Sequence, residues 1–176
     1  MAAFARATPI EEPLPPSQQE IIDRWASEIF GDTATTRQFT WASGGAHRVV
    51  VYNGQTPVGF LRIFDRQVLI DGAGTRVGGV GQVMTPPEHR RCGFAALALE
   101  EAKRTIFEKM GARLGMLFCQ ADVAPYYLRR GWRGLDCPVW IDQPSGKLAW
   151  PHCAMILARP GETWAPKSMD ACGLPW

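Results

Sequence analysis

An α+β fold, a mixed and mostly antiparallel sheet flanked by helices, is predicted by three features of this 176-residue sequence. Two β-rich runs within "AHRVVVYNGQTPVGFLRIF" are joined by the hairpin turn signal Asn53-Gly54. A second turn signal, Asp71 to Gly74, leads into "TRVGGVGQVMT", which extends the hairpin to a three-stranded meander. The second half then alternates strand, helix, strand, helix and strand, the order of a βαβ unit added to the meander.

Taken in order, residues 1–16 are rich in proline and read as coil. A first helix is expected over about 17–30, with Ser17 and Glu20 at capping-box spacing, an apolar stripe of Ile21, Trp25 and Ile29, and a stop at Gly31. The long central helix is expected from about 88 to 110, because Ala95, Leu99, Ala102, Ile106 and Met110 recur at helical spacing before Gly111. "RLGMLFCQ" reads as a short buried strand and "DVAPYYLRRGW" as a short helix capped by Asp122, with Pro125 in its first turn. "HCAMILAR" (152–159) is the last expected strand. The tail, 160–176, contains Trp164, Leu174 and Trp176, which are poorly placed in water, so it is expected to fold back onto a single domain.

Composition excludes several classes of function. A formal charge of +2 with no basic cluster disfavours nucleic acid. Five scattered cysteines without a Cys-x-x-Cys signal neither a disulfide scaffold nor a thiolate metal site, and fit a reducing cytoplasm. No run approaches the roughly 18 apolar residues that span a bilayer, so no membrane partner is expected.

The chemistry concentrates at "HRRCGFAALALEEAKR", where a strand-like run gives way to a helix. A helix start offers backbone N–H groups without intrahelical partners and the positive end of the peptide dipole. Small residues at Gly93 and Ala95 let a bulky anion approach, and Arg90 and Arg91 add charge-assisted contacts. A pyrophosphate cradle is one reading. Tight packing of helix on sheet is the other. The dinucleotide fingerprint G-x-G-x-x-G is absent, because Met84 stands where the third glycine would be.

"VGQVMTPPEHRRCGFA" resembles the coenzyme A motif of the Gcn5-related N-acetyltransferase superfamily, a strand leading into Gln/Arg-x-x-Gly-x-Gly/Ala. "PYYLRRGW" is similar to the later superfamily motif that carries a general-acid tyrosine, with Tyr127 four residues before Gly131. The resemblance implies acetyl-CoA as cosubstrate and no metal. It implies that Val83 and Thr85 hold pantetheine through their backbones, and that Arg90, Arg91, Cys92, Gly93, Phe94 and Ala95 wrap the pyrophosphate. Dimers are common in the superfamily, so a homodimer is among the states it implies.

The stretches "FGD…GGAH" (30–47) and "APYYLRRGW", with the closing Trp176, resemble the aminoglycoside 2'-N-acetyltransferases. That likeness gives Asp32 and the carboxylate of Trp176 candidate roles in holding an amino sugar. Two departures weaken a polycationic acceptor: Gly81 and then Gln82 stand where that family has a glutamate, and Leu174 replaces an acid near the end. Kasugamycin, with few amino groups and an acidic arm, fits better. Another small amine, a peptide N-terminus, or a coenzyme A-binding module without turnover are the alternatives.

For the chemistry itself, Tyr127 can donate a proton to the leaving thiolate. Gln82 can steer a water or bond a sugar hydroxyl. His47 at the start of a strand reads as structural, and Cys119 as a small core residue and not a covalent nucleophile.

Overall fold

The computed structural model describes residues 5–10 and 13–176. Its centre is the meander β2 (His47–Asn53), β3 (Thr56–Ile70) and β4 (Ala73–Met84), all antiparallel. Both turns fall where the sequence places them, at Gly54 and Gly72, each with positive φ. β1 (Ala5–Ile10) pairs antiparallel with β2, inside the segment expected to be coil. Neighbouring prolines hid it: Pro9 is tolerated because β1 is an edge strand.

β5 (Leu114–Cys119) runs parallel to β4, and β9 (Cys153–Leu157) antiparallel to β5. The two-residue β6 (Arg133–Gly134) lies outside β9. β7 (Val139–Gln143) and β8 (Gly146–Ala149) form a hairpin. β10 (Met169–Asp170) is inserted between β3 and β7. β3 accommodates both β2 and β10 because it is 15 residues long: residues 56–63 pair with β2, and Leu69 and Ile70 with β10.

Helices cover the two faces. α1 (Pro16–Phe30) packs Ile22 and Trp25 on Val50, Phe60 and Met84. Its N-cap is Pro15, so the expected Ser17–Glu20 capping box does not form; Pro16 at the first helical position has no N–H to satisfy. The helix ends at Gly31, whose φ of −9° and ψ of −97° suit glycine because a Cβ there would strike the Ser27 carbonyl oxygen. The short α2 (Ala34–Gln38) carries a complete capping box between Thr33 and Thr36.

On the opposite face α3 (Phe94–Arg104) buries Phe94, Ala98, Leu99 and Ala102 against Val49, Val51, Leu61, Ile63 and Val80. It continues as one π-helical turn, Thr105–Lys109, which buries Ile106 and Phe107. The helix begins at 94 and not at 88, because Pro87–His89 form a 3-10 turn and Arg91 and Gly93 are left-handed. α4 (Ala124–Leu128) starts from Val123 without a side-chain cap, so Asp122 does not play the expected part. No described helix is long and apolar enough to cross a membrane.

Candidate active site

Gln82 has φ 50° and sits at the register shift between Phe60 and Arg62, a β-bulge. The bulge advances the side-chain alternation by one. Val80 and Val83 therefore both face α3, while Gly81 and Met84 face α1. It also ends the partnership with β5, whose pairing with β4 stops at Val80↔Leu117 although β5 goes on pairing with β9 to Cys119↔Cys153. Beyond that point the sheet is open between β4 and β5. The end of β4 has backbone groups not used by β5 there, as binding an amide-bearing chain by strand-like hydrogen bonds requires.

The loop after β4 leads straight to the start of α3. Arg90 Nε donates to the Thr85 carbonyl at 3.1 Å, which folds the loop back on the strand end. Arg91 (φ 62°) and Gly93 (φ 84°) are left-handed on either side of Cys92, a backbone that turns successive N–H groups to one side. Gly93 is the N-cap of α3 and supplies no side-chain acceptor, so the first N–H groups of the helix are left for another partner. A Cβ at Gly93 would meet nothing within 4 Å. Its side is open space. These features fit a diphosphate of coenzyme A: an uncapped helix start, an open approach, two exposed arginines and a free strand end.

Tyr127 on α4 packs against the same apolar cluster as Val83 and Cys119. Its ring stands edge-on to Tyr126 and Trp132, with centroids 5.4 and 6.2 Å away. Burial, reinforced by Cys119 and Tyr126 and opposed by Arg130, pushes the phenol well above its ordinary pKa. It is therefore a neutral donor across the working pH range. Cys119 is pushed up to about 11, by burial first and then by Cys153 and Asp122, so its thiol holds its proton near neutral pH.

On the α1 face the tail closes the site from the side. Trp176 is only 5% exposed, and its indole occupies the space that a Cβ on Gly79 would fill. Its backbone carbonyl carbon lies 2.9 Å from where a Cβ on Gly81 would stand. The two glycines make room for one tryptophan. Trp176 joins an aromatic wall with Phe118 (4.9 Å), which meets Trp150 (4.8 Å), which in turn meets Phe39 (5.0 Å) and Trp41 (5.8 Å).

The tail is held by backbone contacts. Asp71 Oδ1 accepts from the N–H groups of Lys167 and Ser168, both at 2.8 Å, and the Ala42 N–H donates to the Pro175 carbonyl at 2.7 Å.

Gln82, Val83, Thr85, the loop from Arg90 to Ala95, Tyr127 and Trp176 thus gather around the opening between β4 and β5. Asp32 stands apart from this arrangement electrostatically: it is paired with Arg37 at 3.1 Å, and its side chain is 81% exposed. Two other carboxylates, Asp142 and Asp170, both pair with Lys147, at 2.9 and 2.6 Å. Sequence reasoning missed Phe39, Trp41, Phe118 and Trp150, whose convergence depends on loops and on the β7–β8 hairpin. It also missed Gln120, whose Nε2 donates to Thr35 Oγ1 at 2.8 Å and ties α2 to the end of β5.

Comparison with known proteins agrees with this fold. The model of the acetyltransferase (GNAT) domain family matches residues 17–134. The fold is similar to a GNAT family acetyltransferase from Brucella melitensis in complex with acetyl-CoA, at 16% identity and TM-score 0.56 over 92% of this chain and 93% of that one. An acyl-CoA N-acyltransferase from Pseudomonas aeruginosa gives 16% identity and TM-score 0.59 over 88% and 99%. A longer GCN5-related N-acetyltransferase from Kribbella flavida gives 19% and 0.55, covering 73% of this chain and 34% of its own length. No curated protein sequence matches significantly. With the family model covering more than half of its length, the chain belongs to the GNAT acetyltransferase family and is an N-acetyltransferase that uses acetyl-CoA.

Proposed function

We propose that the acceptor is an amino group of an aminoglycoside antibiotic, the 2'-amino group of a weakly cationic member such as kasugamycin, and that acetylation in the cytoplasm confers resistance. The observation that carries this reading is the aromatic wall on the face opposite α3, whose half-buried members Trp41 and Phe118 adjoin the buried Trp150 and Trp176. Flat rings stack on the apolar faces of sugars, and the candidate carboxylates Asp32, Asp142 and Asp170 already have cationic partners. Such a site suits a sugar carrying one reactive amine better than a polycation.

Acetyl-CoA supplies an activated acyl group whose thioester carbon accepts an amine directly. The residues do the rest. The loop from Arg90 to Ala95 and the start of α3 hold the anionic end, Val83 and Thr85 hold the arm through their backbones, and Tyr127 protonates the departing thiolate. Gln82, with its side-chain Oε1 buried and unpartnered among the described residues, accepts a hydrogen bond from a sugar hydroxyl or a water.

The test is a screen of aminoglycosides, kasugamycin included, beside polyamines and peptides, for acetyl-CoA-dependent mass gain. Acetylation of kasugamycin at the 2'-amine supports the proposal. Turnover confined to polyamines or peptide N-termini replaces it with another acceptor class.

A further inference from the structure

Arg48 of β2, Arg62 of β3 and Gly81 of β4 stand opposite one another in one row across the sheet, on the α1 face and beside the opening. Two guanidinium groups directly opposite in an antiparallel pair repel, so the arrangement is unfavourable unless an anion joins them. None of the described ion pairs contains either arginine. The Nε atoms of both are buried without a hydrogen-bond partner among the described residues.

Among the described residues Arg62 Nη1 donates to an uncharged acceptor, the Gly44 carbonyl at 2.8 Å. Asp23 on α1 attracts Arg62 from a distance, yet its own carboxylate accepts from Gln19 Nε2 at 2.7 Å. Burial first and Arg48 second lower the pKa of the Arg62 guanidinium, with Asp23 acting the other way.

We propose that Arg48 and Arg62 form a carboxylate-binding subsite for the acceptor, so that the substrate class is a primary amine that also carries a carboxylate. This rests on the acceptor's lying on the α1 face, as under the proposed function. A carboxylate has two oxygens and four lone-pair directions, which two neighbouring guanidinium forks can share. The same positive charge disfavours an ammonium ion close by, and so keeps more of the attacking nitrogen in its neutral, nucleophilic form. Polycations are repelled from the same floor.

The experiment has two arms on the full chain. In the first, the Nε–H resonances of Arg48 and Arg62, identified with Arg48→Lys and Arg62→Lys, are followed during titration with malonate or malonamide at constant ionic strength. Saturable shifts with malonate and none with malonamide are expected. No saturable shift overturns the proposal, including the case in which the chain's own terminal carboxylate already fills the subsite.

In the second arm, amines are compared in pairs, free carboxylate against carboxamide: glycine with glycinamide, 4-aminobutyrate with its amide, and kasugamycin with the amide of its acidic arm. The carboxylate forms are expected to have kcat/KM about tenfold higher or more. Arg48→Gln/Arg62→Gln abolishes that preference and leaves acetyl-CoA affinity unchanged. Equal rates within the wild-type pairs overturn the proposal. Malonate binding without acetylation of any aminoglycoside would instead sink the proposed function and spare the anion subsite.

Discussion

Tyr127 illustrates how position fits a single residue for the role proposed for it. Its spacing to Gly131 is visible in the sequence, but its neighbours are not: the ring is enclosed by Tyr126, Trp132 and the Val83–Cys119 cluster only once α4 docks on the strands. Tyr127→Phe removes the proton donor and no part of the cradle. Turnover is expected to fall about a hundredfold, with the dissociation constant for acetyl-CoA unchanged by calorimetry.

Two partly buried acids, Tyr127 and Cys119, also set an alkaline limit on stability. The folded Tyr127 and Cys119 bind their protons more tightly than the unfolded chain does, so the unfolded state loses protons first as pH rises and gains stability relative to the native one. Their contribution is complete below the unfolded pKa values and declines from about pH 8.5 upward for the thiol and about pH 10 for the phenol. Urea midpoints should fall across that range, and less steeply in Cys119→Ala and Tyr127→Phe. Cys119 should resist iodoacetamide at neutral pH, and Cys119→Ala should keep its activity; loss of turnover there would point to a covalent route.

At the scale of elements, the bulge at Gln82 and the loop before α3 do most to make the site. The Arg-x-x-Gly-x-Ala pattern was legible as a candidate anion cradle because glycine at a helix start has a backbone meaning. The true start of α3 was not legible. The periodic residues begin at Ala95, and nothing in residues 88–93 marks the 3-10 turn and the left-handed backbones of Arg91 and Gly93 that delay the helix to residue 94. Likewise Gly79 and Gly81 look like weak strand residues until Trp176 is seen against them.

Gly79→Ala should therefore destabilise the protein by about 1–3 kcal/mol through overpacking. Trp176→Ala should remove most of that penalty. Chemical denaturation of the two single variants and the double variant measures the coupling, and strict additivity would show that the indole and Gly79 do not compete for the same space.

For the whole molecule, the meander and the βαβ unit were legible because each carries a local signal: turn dipeptides in one, helical periodicity in the other. β1, β7, β8 and β10 were not. β1 is masked by prolines, and the two-residue β10 has no pattern of its own. It exists because Asp71 and the edge of β3 capture the backbone of the tail. Lys147, its pKa raised to about 12 by hydrogen bonds from its ammonium to Asp170 and Asp142, fastens β8 to β7 and β10 on the surface.

The break between β4 and β5 also bears on kinetics. On the proposed reading the nucleotide reaches the opening from the α3 side and the amine from the α1 side, so neither blocks the other's arrival or departure. Initial-rate lines at several fixed concentrations of each reactant should intersect rather than run parallel. Free coenzyme A should compete with its own acylated form and not with the amine; parallel lines would mean that the two take turns in a common vestibule.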